Sequence, residues 1–414
     1  MKKIAVIGAG IIGITTAYEL ALKGHEITIF DQNSACAEEA SFANGSIFAP
    51  SFVSPWIAPG LPKYLFKQLF TEHSPVRFGG LGRKELAWIA KWRAACKMDS
   101  YLSHRSQLHN LASFSSEVLK EITRKLNLDY ERTQGFMVLF RTAEERKNSQ
   151  PSLQFYKEMG IQCSEMSPLE VRAKEPALKT ETPLAGGLYF AEDGVANCRQ
   201  FALLLKEECE RLGVVFKFNS KVTPLTSSQP TLIKTQDQSF KFDDVVICSG
   251  IQSAELLSPL NIHIPILPIY GYTLSASIRE HIDAPLSAVM DDRYKVTISK
   301  MGQRIRVSGI SQIGGSNKTP IKGAYKFLYK TLNDWFPGSA RTSERVQEWC
   351  GARASLPEGV PLIGSTKVPG VWLNVGHGAS GWTLSCGAAK AVAHLINDEL
   401  PGINIVGLGV SRLE

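Results

Sequence analysis

The run Lys2-Lys3-Ile4-Ala5-Val6-Ile7-Gly8-Ala9-Gly10-Ile11-Ile12-Gly13, continued through Ala17, Leu20 and Gly24 to Glu26-Ile27-Thr28-Ile29-Phe30-Asp31, constrains this chain more than any other segment. Its glycines stand at GxGxxG spacing between an apolar strand and a helix, and a second strand ends in a carboxylate, which is the long form of a dinucleotide-binding unit. Gly8 allows a sharp turn out of the strand, Gly10 lets the main chain approach a pyrophosphate, and Gly13 lets helix and sheet pack closely. The helix expected from about Ile11 to Lys23 aims its first amides and the positive end of its dipole at the phosphates. Gly24 ends it as a C-cap does. Asp31 follows the glycines by about 20 residues, where an acid hydrogen-bonds ribose hydroxyls and disfavours a 2′-phosphate. The motif alone does not separate FAD from NAD.

A chain of 414 residues exceeds the ~250 to 300 at which single cores stop growing, so two domains are expected. Its 44% hydrophobic and 21% charged residues are those of an ordinary soluble protein. The net charge of +7 favours acidic ligands or an anionic membrane surface. No long basic block, zinc motif or RNA-binding signature points to nucleic acid. The eight cysteines have no CxxC and no paired spacing, so reduced thiols and a cytoplasmic location are expected. The basic start ahead of an apolar run reads as the dinucleotide strand and not as a signal peptide. No stretch reaches the ~18 apolar residues of a membrane span. The eight histidines show no HxxxH or HxH pairing, and no metal site is expected.

Further along, Ser41-Phe42-Ala43-Asn44-Gly45-Ser46 is a polar segment suited to wrapping a ligand, and Pro50, Pro55, Pro59 and Pro62 form a link. Lys63 to Phe70 sets Leu65, Phe66, Leu69 and Phe70 among Lys63 and Lys67, and Glu85 to Lys97 sets Trp88, Ile89 and Trp92 among Lys91, Arg93 and Lys97. Such segments are amphipathic helices, packed on the protein or lying on the inner membrane face. Leu108, Leu111, Val118, Leu119, Ile122 and Leu126 keep helical period and predict a helix over 104–126. Phe136 to Phe140 predicts a strand, Ser167-Pro168-Leu169-Glu170 a capping box, and Asn197 with Gln200 the start of a helix running to Arg211. Strands are expected at 214–222 and 244–248, the second closing on Ser249-Gly250. Residues 264–274, 295–298 and 304–309 read as antiparallel strands of an inserted substrate part. Val371 to Val375 is then a strand, 376–381 a glycine-rich loop, and 382–397 a helix.

This second glycine-rich loop decides between cofactors. A helix N-terminus there suits the pyrimidine edge of an isoalloxazine, where its positive end stabilises charge on the reduced ring. A nicotinamide enzyme would instead carry an acid/base residue in a separate catalytic domain. Flavin is the expectation.

The opening glycines, Ser41-Phe42-Ala43-Asn44-Gly45, Ala49-Pro50 with Pro55 to Gly60, Tyr270-Gly271-Tyr272, Gly351-Ala352-Arg353 with Pro357-Glu358-Gly359, and Asn374 to Gly378 with Gly381-Trp382-Thr383 resemble the bacterial D-amino acid dehydrogenase small subunits. That group belongs to the D-amino acid oxidase and glycine oxidase superfamily of flavoproteins. The resemblance runs over nearly the whole chain. It implies an α/β fold with an α+β substrate part: a Rossmann-like FAD-binding domain formed by 1–83, 192–262 and 346–414, and an inserted substrate domain, 84–191 and 263–345, on a largely antiparallel sheet. It implies that Gly8, Gly10 and Gly13, with Ile11 and Ile12, bind the pyrophosphate, and that Asp31 with Gln32 meets the adenosine ribose. Ser41, Asn44 and Gly45 would serve the phosphates and the flavin side, Val222 and Ser249-Gly250 the adenine half, and Gly378, Ser380, Gly381, Trp382 and Thr383 the isoalloxazine. His377 would shape that loop or touch the flavin edge.

Arg353 matches the family's carboxylate-clamping arginine, a role that suits its planar two-pronged donor geometry. Tyr272 and Tyr294 are expected to bond the carboxylate or the amine, with core aromatics as the structural alternative. Cys350 falls one residue before the position where some relatives attach flavin, so FAD is expected to be non-covalent. The sequence departs from the group's usual lysine at Tyr270, proline at Ala354 and threonine at Leu356. The implied activity is oxidative deamination of D-amino acids, with electrons passed to a quinone or other carrier. Alternatives are oxidation of glycine or a secondary amine such as proline, hydroxyproline or sarcosine, or a flavin-binding electron-transfer subunit with no substrate of its own.

Overall fold

Lys3–Ile7 is a strand because four consecutive apolar residues are buried on both faces, the pattern of a central parallel strand. It pairs in parallel with Glu26–Phe30 on one side and Asp244–Ile247 on the other. The computed structural model describes residues 1–68, 74–226, 231–316, 319–343 and 345–413. Six strands form the first sheet, in the order 362–365, 371–375, 244–247, 3–7, 26–30, 215–217, and only the 362–365 edge is antiparallel to its neighbour. Helices Ile11–Leu22 and Gly381–Ile396 cover one face. The other face is filled by Val222, Leu225, Leu256, Leu257 and Ile262 together with the small hairpin of Thr231–Lys234 and Ser239–Phe242.

The second sheet is larger and mixed. Its main path runs Gln347–Ser355, Leu267–Ser277, Arg304–Ile313, Val296–Met301, Ala288–Asp291, Thr133–Phe140, Gly186–Val195, Ile47–Phe48. Most neighbours are antiparallel, but Ala288–Asp291 runs parallel to Thr133–Phe140, and the added strand Val76–Phe78 runs parallel to Arg304–Ile313. The α/β class with a Rossmann-like sheet and a mainly antiparallel second sheet is what the chain adopts. Several elements sit elsewhere than the expected division of the chain places them, Ile47–Phe48 and Val76–Phe78 among them as members of the larger sheet. Gln347–Ser355 is an edge of the larger sheet, pairing along Leu267–Ser277. The helix Met98–Leu126 packs Leu108, Leu111, Ala112 and Ile122 into the core of the nucleotide sheet. Contacts between segments distant in sequence decide these placements.

Local signals hold where they are chemical. Ser167 accepts from the amide of Glu170 and Glu170 bonds back, and Asn197 accepts from the amide of Gln200. The strand expected at 214–222 is shorter, Val215–Lys217, because beyond it the chain turns at Asn219, whose φ is +52°. The Arg83–Ala95 helix turns Trp88 and Trp92 inward, their indole N–H groups donating to the carbonyls of Ser355 and Trp56. The helix expected around Lys63 spans Leu61–Gln68, and Leu69 and Phe70 lie outside the described residues. No helix among the described residues is long and apolar enough to cross a membrane.

One buried carboxyl carries a pH prediction. Asp193 is 1% exposed, with Oδ1 accepting from the Ser51 amide at 3.1 Å and Oδ2 without a partner among the described residues. Burial pushes its pKa from 3.8 up to about 7. A pKa raised on folding contributes stability that is fully present below pH 3.8 and is lost as pH rises through about 7. Asp193→Asn is therefore expected to gain melting temperature over wild type progressively as pH rises from 3.8 to about 7, and to keep a constant lead above that. A gap between the two that stays constant over that rise would refute the assignment.

Candidate active site

Between the two sheets lies a cavity of about 430 Å³. Its nucleotide end is made by the first βαβ unit. A Cβ at Gly13 would stand 1.8 Å from the carbonyl oxygen of Gly8, and one at Gly8, with φ +108°, 2.7 Å from that of Cys248. Gly13 thus acts through packing and does not line the cavity, whereas Gly8, Gly10, Ile11 and Ile12 do. The helix Ile11–Leu22 starts at Gly10 with no side-chain cap from that residue. Ser41 supplies one acceptor instead, its Oγ taking the Ile11 amide at 3.1 Å and keeping its O–H to donate elsewhere.

Asp31 is fixed from both sides. Oδ2 accepts from the Ala9 amide at 2.6 Å and Oδ1 from the Asn33 amide at 2.8 Å. Burial raises its pKa, and these two amides oppose the rise. Gln32, Asn44, Gly45, Val222, Ser249 and Gly250 line the same end of the chamber or its length.

The other glycine-rich loop brings His377, Gly378, Gly381 and Trp382 to the wall. Ser380 and Thr383 are not on it. Thr383 accepts from the Ala49 amide at 3.4 Å, and the Trp382 indole donates to the Ala196 carbonyl at 3.0 Å, so these two side chains anchor the start of helix Gly381–Ile396. That helix has no side-chain N-cap. His377 is pushed down to about 3 by burial, so the imidazole is neutral, and its Nε2 has no partner among the described residues. Asn374, also on the wall, has Oδ1 in the same condition.

These observations test the fit of an FAD. Two helix N-termini without a cap from their own N-cap residue, a turn without Cβ atoms, an acid at the end of the second strand, and orphaned polar atoms on Asn374 and His377 are what a long dinucleotide carrying a polar tricycle requires. The residues fit.

The remaining wall belongs to the larger sheet, and here pleating decides which residues arrive. Gly271, Thr273, Trp349, Gly351 and Arg353 line the cavity. Gly271 stands opposite Gly351 in register. A Cβ on Gly271 would lie 2.1 Å from the Arg353 guanidinium, and one on Gly351 1.8 Å from the Trp349 ring. The two glycines therefore clear a floor across which both large side chains lie. Arg353 donates from Nη1 to the Ile310 carbonyl at 3.3 Å and to Ser311 Oγ at 3.2 Å. No described carboxylate pairs with it, and burial lowers its pKa.

Tyr272 and Tyr294 do not reach the cavity. Tyr272 is fully buried on the opposite face of its strand, donates to Gln312 Oε1, and accepts from the Ile321 amide at 2.9 Å. Its cross-strand partner is Cys350, likewise off the cavity wall, with burial raising the thiol pKa. Tyr294 packs edge-on against Phe327, with the Arg141 guanidinium over its ring. Tyr272 is a core residue, because adjacent positions on a strand face opposite ways, and Tyr294 is not on a strand but sits half-buried in the turn between Ala288–Asp291 and Val296–Met301, packed against the core of the larger sheet. Tyr272→Phe is expected to leave kcat/KM within about threefold while lowering stability by about 1–3 kcal/mol, since Gln312 and the Ile321 amide lose their partner. A large loss of activity in a variant that melts normally would overturn this.

Sequence reading missed Trp349, Thr273, Thr297, Ser308, Lys295 and Asn374, all on the wall. Thr273 and Thr297 both stand opposite Ser308, forming a row of hydroxyls across three strands. Their signal was small polar residues interrupting otherwise apolar strands. The carboxylates that line the cavity are Asp31, Glu38 and Glu39, close in sequence to the nucleotide end. The Arg353 end thus holds the guanidinium, the ammonium of Lys295 paired with Asp292, a neutral imidazole, an indole and hydroxyls. It can position a carboxylate but, among the described residues, offers no carboxylate base. Among the described residues no group of three or more His, Cys, Asp or Glu is arranged to hold a metal.

Residues 3–395 match the model of a family described as DAO, FAD-dependent oxidoreductase. Among solved structures, glycine oxidase from Geobacillus kaustophilus is 18% identical, with 100% of this chain and 99% of that one covered at a TM-score of 0.79. L-proline dehydrogenase from P. horikoshii is 17% identical over 99% and 97%, at 0.74. L-amino acid deaminase from Proteus vulgaris is 16% identical over 100% and 97%, at 0.73. At these identities the likeness is one of fold.

Proposed function

Because the chain belongs to the DAO family of FAD-dependent oxidoreductases, we propose that it oxidises D-amino acids to 2-oxo acids and ammonia, Arg353 holding the carboxylate. FAD is its cofactor. The observation that carries the reading is the Arg353 guanidinium, laid across a glycine floor on the cavity wall with no described carboxylate beside it. A desolvated cation without a counter-ion is unfavourable by itself, and a ligand carboxylate supplies the missing charge through two parallel hydrogen bonds.

When bound, FAD accepts the hydride that leaves the substrate Cα, and the resulting imino acid is hydrolysed by water. The protein supplies position. Ile310 and Ser311 hold Arg353 from behind, Trp349 bounds the space beside it, and the row of Thr273, Ser308 and Thr297 provides hydroxyls along one wall. His377 stays neutral across the working range, so it adds no charge of its own beside Arg353 and Lys295. Such a site works by orientation, which needs no carboxylate base.

The D configuration is supported by the motifs at Tyr270 to Tyr272, Gly351 to Arg353 and Pro357 to Gly359. Non-covalent retention is supported by Cys350 facing away from the wall. Transfer to a quinone at the inner membrane face is part of the same proposal. What supports it is the exposed Leu81, Leu86, Met98 and Leu102 near Lys84, Lys91 and Lys97.

The test is anaerobic mixing of the yellow holoprotein with D- and L-amino acids, glycine, sarcosine and proline while flavin absorbance is followed. Bleaching by D-amino acids is expected, with turnover supported by a quinone analogue and not by oxygen. Bleaching by glycine or secondary amines alone would replace the substrate assignment. No bleaching by any of them would leave an electron-transfer subunit.

A further inference from the structure

On the far side of the Ser41–Ser46 loop lies a second cavity of about 270 Å³, which the reaction above does not use. Phe42 separates it from the main chamber, its ring 6.5 Å from that of Trp349. Three arginines face it: Arg199, Arg304 and Arg306. Only Arg304 is neutralised by a described carboxylate, donating to Glu131 at 2.6 Å, and Glu131 is further occupied by Asn197 Nδ2 at 2.6 Å.

Arg306 is 4% exposed, donates among the described residues only to the neutral oxygens of Ser275, Asn44 and Ser46, and has its pKa lowered by burial to about 10. Arg199 lies over Phe42, 4.3 Å from the ring centroid, with its Nε buried and unbonded and no described carboxylate paired to it. Gln200 and Gln347 add amide donors, and Phe42 and Leu203 an apolar wall. The cavity also receives the first turn of helix Cys198–Arg211.

We propose that this second cavity binds a small oxyanion of two charges, a dicarboxylate or a phosphate, between Arg199 and Arg306. Two guanidiniums beside a paired Arg304–Glu131 leave the cavity with a surplus of two positive charges. A doubly charged oxyanion cancels it through charge-assisted hydrogen bonds. Arg306 ties the site to the cofactor loop through Asn44 and Ser46. The inference does not depend on which amino acid is oxidised.

The experiment is titration calorimetry of the holoenzyme with malonate and with inorganic phosphate at constant ionic strength, chloride serving as the control. Binding to Arg353 in the main chamber is removed by repeating it in Arg353→Leu. One saturable site per chain is expected, retained in Arg353→Leu and weakened about tenfold or more in Arg199→Met and in Gln347→Glu, which adds a negative charge to the wall. Response to malonate alone assigns a carboxylate site, and response to phosphate alone a phosphate site. Absence of binding for both anions in Arg353→Leu overturns the proposal, as does equal affinity in Arg199→Met. Failure of the substrate assignment would show separately, in the bleaching experiment.

Discussion

Replacing Arg353 by leucine is expected to lower kcat/KM for the amino acid by about 10²- to 10³-fold without reducing the melting temperature of the substrate-free holoenzyme. The loss follows from removing one partner of a desolvated charge pair, which costs about 3–4 kcal/mol, each 1.36 kcal/mol being tenfold. The unchanged stability follows from the other side of the same physics. Before substrate arrives, the guanidinium is held by one carbonyl and one hydroxyl, with no described carboxylate, and burial works against its charge. Leucine removes that penalty. Arg353→Lys is expected to recover only part of the activity, because an ammonium is a point charge and cannot make two parallel bonds. Steady-state kinetics with thermal melts check both halves. A variant that turns over within threefold of wild type would remove the carboxylate clamp from the mechanism.

Gly13→Ala is expected to have the largest effect on the folded holoprotein. The new Cβ would sit 1.8 Å from the Gly8 carbonyl oxygen, a backbone atom that cannot rotate away. The helix Ile11–Leu22 would have to lift from the sheet, breaking its packing against Gly381–Ile396 and displacing Ile11 and Ile12 from the cavity wall. Destabilisation of about 4 kcal/mol or more, with loss of bound FAD, is the expected result of overpacking against main chain. Gly24→Ala is the control. Gly24 has φ +81° but nothing within 4 Å of its added Cβ, so its change is expected to cost about 1 kcal/mol and leave the flavin bound. The ratio of flavin to protein absorbance after gel filtration, with a melting curve for each variant, measures both. Retention of flavin by Gly13→Ala at wild-type stability would show that helix and sheet are not in the contact described.

The nucleotide end was legible because its chemistry is local. Gly8, Gly10, Gly13 and Asp31 fall within one turn-helix-strand unit, and a steric rule about Cβ atoms follows from their spacing alone. The capping residues Ser167 and Asn197 were legible for the same reason, each bonding an amide three residues on. The substrate end was not. Tyr272 and Thr273 are neighbours, equally polar to a reader of the chain, yet one is sealed in the core with Gln312 and the other lines the cavity. A strand's alternation says that they face opposite ways but not which way either faces. Which face meets the cofactor is set only when Leu267–Ser277 pairs with Gln347–Ser355 and Arg304–Ile313.

The amino-acid sequence by itself determined a dinucleotide unit at one end, a second glycine-rich helix start near the other, and an arginine in a Gly-Ala-Arg context. Those are properties of a few adjacent residues and of glycine's missing side chain. Only the tertiary structure decided that Arg353 lies over Gly271 while Tyr272 is sealed in the core and Tyr294 packs half-buried against it, that Gln347–Ser355 belongs to the larger sheet, and that Arg199 and Arg306 face one cavity. Each of these depends on partners far away in the chain, whose register is set by total burial across two sheets and is written in no single segment.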